Sequence, residues 1–289
     1  MLGQLVLSGL AQGGAYSLVG LGMTLLYRST GILNFAHGEF FMVSAYVAYI
    51  CLTIGGLGFI PAIVVTILAA LALGALIEIS LIRKLNSASH FQQVVMTVAI
   101  AYLLRGLVRA YWGYDILRLP PMGSWEPFEI GGLIVTPQDI IILGVSVLIV
   151  LIFFVVLQGT RAGRMVLAVS ESPRAALLMG INVPRFNSSM WALAAALGGL
   201  AGIMVAPITL LYPDMGAQVV LRAIAAMTLG GLGSFPGVVV GGLAVGVIQS
   251  VVSGYVSSSL TEISSLIVIV LVLLIRPEGL FGAKEYVRV

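Results

Sequence analysis

The chain has 289 residues, 60% of them hydrophobic and only 9% charged, with a net charge of +3. Soluble domains carry roughly 25% charged residues, so this composition excludes a sizeable water-soluble domain and defines an integral membrane protein. No basic tail or basic patch suggests a nucleic-acid partner.

A bilayer-spanning helix needs about 20 mostly apolar residues. Hydropathy places candidate spans over 4–27, 37–57, 59–82, 94–113, 139–158, 187–211, 237–255 and 262–275. The first has no basic segment before it and is longer than a signal-peptide core, so it reads as a permanent span. A further apolar stretch, 217–234, is Gly-rich and interrupted, and reads as a span, a half-span or a re-entrant piece. The 35 glycines suit such a bundle, because glycine lets membrane helices approach closely. The expected fold is an all-α polytopic membrane protein, with about eight to nine transmembrane helices and one Gly-rich broken or re-entrant segment.

After the first span comes the polar word Asn34-Phe35-Ala36-His37-Gly38-Glu39. Ionisable side chains at bilayer depth are costly and mark functional sites. The alternative is that His37 and Glu39 lie at the water interface beside Arg28 and merely start a helix. Cys51 is the single cysteine, so no disulfide can form within the chain, and it reads as a small buried hydrophobe. Glu78 near a span end snorkels to water, and Arg105 and Arg109, sharing one helix face, reach outer headgroups. His37 and His90 are the two histidines, and no Ser/His/Asp or metal-ligand cluster accompanies them, so neither a catalytic nor a metal site is expected.

Lys and Arg in short loops set orientation. Arg28; Arg83 and Lys84; Arg161, Arg164, Arg174 and Arg185; and Arg276, Lys284 and Arg288 form the basic clusters, taken as cytoplasmic. The loop from Tyr111 to Asp139, with Trp112, Trp125, Pro120, Pro121 and Pro127, is then external. The N-terminus is external and the C-terminus cytoplasmic, which requires an odd number of crossings and favours a full crossing by 217–234.

The one substantial internal polar stretch runs over about 159–187. Ser172 before Pro173 is a helix start with a side-chain cap and proline in the first turn. Ala175–Met179 continue it, Gly180 ends it, and Pro184 lies beyond. A helix of about two turns is expected there, docked on another protein or resting on lipid headgroups. The chain lacks the phosphate-binding G-x-x-x-x-G-K-[ST] pattern, so energy for any active process comes from another subunit or an ion gradient.

Gly163-Arg164, Glu171, Ala175-Ala176 and Met179-Gly180-Ile181 resemble the coupling segment of ABC-importer permeases, in particular the LivH-type permeases of branched-chain amino-acid uptake. The likeness extends to Gly31–Glu39, to Leu229–Gly237 and to Arg276–Gly282, in one order over nearly the whole chain. Urea and short-amide permeases are similar in the same places. The resemblance implies a non-enzymatic subunit forming one permease transmembrane domain over 1–289 in the bacterial inner membrane. Its implied partners are a homologous second permease, two ATP-binding subunits and a periplasmic substrate-binding protein. ATP would be used by those partners, with no cofactor bound by this chain.

The words Gly31–Gly38 and Gly231–Gly237 also resemble each other, and are expected to be discontinuous elements beside a translocation path. That makes Asn34, His37, Gly38, Glu39, Gly231, Gly233 and Ser234 path or helix-break candidates, with Glu39 or Asn34 meeting an ammonium group. His37 and Glu39 could equally hold helices together. Arg222, carried over from the family, is expected in the path or paired with an acid such as Asp214. Gly163, Arg164, Glu171, Arg174, Ala175, Ala176, Gly180 and Ile181 are the candidates for coupling to the ATPases, with Ala175, Ala176 and Gly180 small enough for close docking. A competing class is an ion-coupled secondary transporter, in which His37 and Glu39 carry protons.

Overall fold

A computed structural model describes residues 1–85, 88–122 and 126–282. Trp125, Lys284 and Arg288, assigned above to the outer loop and the basic tail, lie outside the described residues. Helices α1 (Leu2–Thr30), α2 (His37–Tyr49), α3 (Phe59–Ser80) and α4 (His90–Trp112) are followed by a small antiparallel hairpin, β1 (Phe128–Ile130) and β2 (Leu133–Val135). Then come α5 (Pro137–Gly159), α6 (Arg161–Glu171), α7 (Pro173–Leu178), α8 (Val183–Val205), α9 (Met215–Gly230), α10 (Phe235–Tyr255) and α11 (Thr261–Ile275). Among the described residues, eight helices are long and apolar enough to cross a bilayer; α2 reaches that length through a π-helical turn over Ile50–Ile54. The protein is an all-α polytopic membrane protein.

Local chemistry explains the helix boundaries. Thr136, Ser172, Asn182 and Ser234 each accept a hydrogen bond from a backbone N–H of the helix they precede, and each is followed by proline in the first turn. Ser89 and Gln92 form a reciprocal capping box that starts α4 at His90, earlier than hydropathy placed it. The Asn182 cap likewise starts α8 at Val183 rather than 187, and α8 ends at Val205 rather than 211. Gly31 ends α1 in the left-handed conformation at φ 73°.

The bundle is built around α1, which packs most extensively on α10 and also on α8, α5 and α9. Gly13 of α1 lies against the backbone of α10 at Gly242 and Leu243, a close helix approach that a Cβ would prevent. The outer helices α4, α5 and α11 turn large apolar side chains outward, among them Leu103, Leu107, Leu151 and Leu274. In water such faces would be a liability; in a bilayer they are the lipid contact.

One rim collects most of the basic clusters. Arg28 and Gly31 share a groove with Glu171 and Pro173, and Arg185 lines another with Met179 and Gly180. Arg83 donates to the Pro184 carbonyl at the start of α8, and Arg276 lies beside the end of α9. The hairpin and the 206–214 segment sit at the opposite rim, where Gln4 of α1 pairs with Ile134 and Leu117 pairs with Leu211. The 217–234 stretch resolves as α9, 16 residues and about 24 Å long at the helical rise. It begins inside the bundle rather than at the far rim and ends at the basic rim, so with 206–214 it completes a crossing.

The internal polar stretch contains a helix that its sequence did not announce. In α6, Gly163, Val166 and Val169 face inward at three-residue spacing while Arg161, Arg164 and Glu171 are exposed.

Candidate functional site

Between Gly31 and His37 the chain does not continue as helix; it climbs back into the bundle and restarts there. Asn34 accepts a hydrogen bond from the Ala36 N–H at 3.0 Å, which folds the turn, and the Phe35 N–H donates to Thr97 of α4 at 3.1 Å. Asn34 is buried and its amide nitrogen has no partner. His37, the first residue of α2, is fully buried. Its ring fills the slot left by Gly22 of α1 and Gly198 of α8 and meets Phe40 edge-on at 5.7 Å. Gly22 lies about 12 Å along α1 from Thr30, so the restart falls well inside a core roughly 30 Å thick. The interface alternative for His37 and Glu39 is therefore replaced by a position inside the bundle.

A second helix begins at the same place. Gly38 of α2 and Gly216 of α9 touch backbone to backbone, so the first turns of two helices cross at a point where neither has room for a side chain. Gly216 is about 21 Å along α9 from its end at Gly230. Two helix N-termini thus meet at depth, each the positive end of a helix dipole.

Charged groups gather at this crossing. Glu39 accepts from Arg105 of α4 at 2.5 Å. Arg105 also lies 3.6 Å from Asp214, the residue preceding α9, and Asp214 accepts from Arg109 at 2.5 Å. The four side chains form a ladder of alternating sign, Glu39–Arg105–Asp214–Arg109, buried at the Glu39 end (1% and 15% exposed) and more open at the other (45% and 32%). The two arginines that were expected to reach headgroups instead hold α4 to the starts of α2 and α9. Glu78 likewise does not snorkel: it is buried and bonded to Arg83 at 2.7 Å and to Ser188 of α8 at 2.6 Å.

Arg222 stands on α9 below this crossing, its guanidinium 5.5 Å from the centre of the Tyr16 ring. Asp214, its expected acid partner, is taken by Arg109 and Arg105.

The second glycine word is at the basic rim, not at the depth of the first. Gly231 has φ 104° and packs on the Glu278–Gly282 turn, Gly233 has φ 82°, and Ser234 accepts from the Gly237 N–H at 3.1 Å to start α10. The groove that contains Gly233 and Ser234 is shared with Gly31 from the first word and with Glu171 of α6. The two words thus meet through Gly31, while Asn34, His37, Gly38 and Glu39 lie deeper.

In the rim segment, Thr160 caps α6 at Gly163, which sits against the Leu157 carbonyl, and Ser172 caps α7 at Ala175 at 3.2 Å. Arg164, Glu171, Arg174 and Ala175 are exposed, Ile181 is half-buried, and Gly180 turns the chain at φ 84°. Ala176 faces the chain's own core, and its carbonyl accepts from Ile181 at 3.0 Å. It is therefore not a docking contact. The outward apolar residues of this turn are Leu177, Leu178 at 90% exposure and Met179 at 84%. Arg105, Arg109, Leu178 and Met179 were the functional candidates that sequence reasoning passed over; two arginines four apart inside a span were the available signal for the first pair.

A polytopic bundle with an interrupted helix, two helix starts meeting at depth and buried ion pairs beside them has the architecture of a membrane transporter. Comparison with known proteins agrees. Residues 5–276 match the family described as branched-chain amino acid transport system / permease component, and the chain belongs to that family of ABC-transporter permeases. It is 28% identical to the high-affinity branched-chain amino acid transport system permease protein LivH of Salmonella typhimurium, covering 99% of this chain and 97% of that protein. It is 27% identical to BraD of Pseudomonas aeruginosa, a permease of the same description, at the same coverage. The ribose import permease protein RbsC of Escherichia coli is 28% identical over 83% of this chain and 75% of its own length. Among solved structures, a chain of PsaBC from Streptococcus pneumoniae, in complex with Fab, superposes with a TM-score of 0.52 at 14% identity, covering 94% of this chain and 91% of that one. That likeness is one of fold.

Proposed function

We propose that this chain is one permease half of an ATP-driven importer that carries branched-chain amino acids inward across the bacterial inner membrane. The observation that carries the reading is the end-to-end likeness to LivH and BraD, 97% of whose length is matched. A periplasmic binding protein delivers substrate to the outer face. A second, homologous permease completes the path, and two cytoplasmic ATPases supply the energy. The chain itself binds no cofactor, is not an enzyme and acts as a single transmembrane unit over 1–289.

The basic rim is the cytoplasmic one, by the bias of Lys and Arg toward that side. There α6 and α7 form the coupling element, with Gly163, Arg164, Glu171, Arg174, Ala175, Ala176, Gly180 and Ile181 shaping it and Leu178 and Met179 entering the ATPase. The groove joining Glu171 to Gly233 and Ser234 gives that element a route to α9 and α10. The path runs past the crossing of α2 and α9, where Asn34, His37, Gly38, Glu39 and Arg222 lie; Gly231, Gly233 and Ser234 form its inner mouth.

The reading is tested in a leucine auxotroph that lacks its own high-affinity uptake and carries the genes of the whole system. Growth on low external leucine should depend on this chain and on an intact ATPase. Growth that survives loss of ATPase activity would exclude an ATP-driven importer, and rescue of urea use alone would change the cargo.

A further inference from the structure

The ladder of Glu39, Arg105, Asp214 and Arg109 contains two acids and two bases, so it is electrically neutral as a unit. It is also incompletely satisfied. Glu39 Oε2, Arg105 Nε, Arg109 Nε and the hydroxyl of the buried Tyr46 are enclosed and have no hydrogen-bond partner. Tyr46 and Glu39 share α2, and Trp112 of α4 lies against the Tyr46 ring, centroids 5.8 Å apart and planes tilted by 38°. A group of charges built only to fasten helices closes its bonds on itself, because each buried polar atom left open is destabilising.

Such a ladder discriminates by charge. A zwitterion brings an ammonium and a carboxylate side by side, and each finds its opposite on adjacent rungs. The ammonium can take the open oxygen of Glu39 or a rung at Asp214, and the carboxylate the guanidinium of Arg105 or Arg109. Ion pairs are exchanged and none is lost, so the total charge at bilayer depth stays zero. An amine or a carboxylic acid of the same shape would satisfy one sign and leave the other rung uncompensated, a strongly unfavourable state away from water. Exposure rising from Glu39 to Asp214 supplies the direction of entry.

We propose that this ladder is the charge filter of the translocation path, admitting small solutes that carry one positive and one negative group and rejecting those that carry only one. The inference rests on the reading of this chain as an amino-acid permease. It places specificity within the membrane, in addition to whatever the delivering protein selects.

The test uses the assembled transporter in liposomes and separates the filter from mere fastening by charge-balanced variants. Glu39→Gln and Arg105→Gln singly leave one buried charge unpaired and should reduce recovery of the complex. The double variant Glu39→Gln/Arg105→Gln removes both charges; it should restore recovery yet leave ATP-driven leucine uptake lower by at least roughly tenfold, the loss expected when charged partners of a ligand are removed. Arg109→Gln/Asp214→Asn, at the more exposed end, is the second balanced pair and should behave alike if the first fails to assemble. Stimulation of ATP hydrolysis by the loaded binding protein should persist in both. Leucine uptake at the native rate in an assembled balanced variant would overturn the filter and leave a fastening role. Failure of the native transporter to take up leucine at all would instead overturn the amino-acid reading beneath it.

Discussion

Arg105 and Glu39 lie 66 residues apart in the chain and 2.5 Å apart in space. Their bond joins α4, whose own apolar face is largely turned to lipid, to the first turn of α2. Breaking a buried pair by removing one partner is costly because the other charge remains in place. Arg105→Ala should therefore destabilise the purified chain by about 3–5 kcal/mol, read as a lowered melting temperature in detergent. Arg118→Ala, at an exposed position in the loop after α4, is the control and should melt like the native chain.

The crossing of α2 and α9 depends on two glycines meeting backbone to backbone. A methyl group at Gly38 would collide with the Gly216 carbonyl, whereas one at Gly106 would meet nothing within 4 Å. Overpacking costs about 1–3 kcal/mol or more where the backbone cannot give way. Gly38→Ala should lower the yield of folded protein sharply while Gly106→Ala leaves it unchanged. Equal yields of the two, measured by size-exclusion chromatography, would mean that the helices are not held this closely.

The coupling turn is tested at the residues it exposes. Leu178→Glu and Met179→Glu put charge on the outward side of α7 and should leave the permease folded while separating ATP hydrolysis from uptake. Ala176→Glu places a charge in the chain's own core and should reduce folding instead. Uptake at the native rate in both Leu178→Glu and Met179→Glu would remove this turn from the coupling contact.

Orientation gives a further prediction. Cys51 is buried, which suits single-cysteine labelling. With Cys51→Ser as background, Asp115→Cys should react with an impermeant maleimide on intact spheroplasts. Arg276→Cys, exposed on the basic rim away from the coupling turn, should react only after permeabilisation. The reverse pattern would invert the assignment of the basic rim.

The spans were legible because each is a run of apolar residues ended by a cap, a glycine or a charge. Ser172-Pro173 and Gly180 delimited α7 to within a residue or two, because capping and positive φ are local effects. The break at Asn34–His37 was legible as a polar word in an apolar region. The pairing of Arg105 with Glu39 and of Arg109 with Asp214 was not, since it depends on which helices become neighbours, and a snorkelling arginine and a paired one look alike in sequence. The helix α6 was hidden by its charged face, which made the whole stretch read as a polar loop. The inward turn of Ala176 was equally hidden: in a helix of six residues, composition does not tell which side is covered.

ATP-driven uptake of labelled leucine by the purified four-subunit assembly in liposomes, with its binding protein outside and labelled urea in parallel, tests the account most directly. The account predicts leucine accumulation that requires both ATP and the binding protein, with no accumulation of urea. Urea uptake without leucine uptake, or leucine uptake driven by a proton gradient in the absence of ATP, would contradict it.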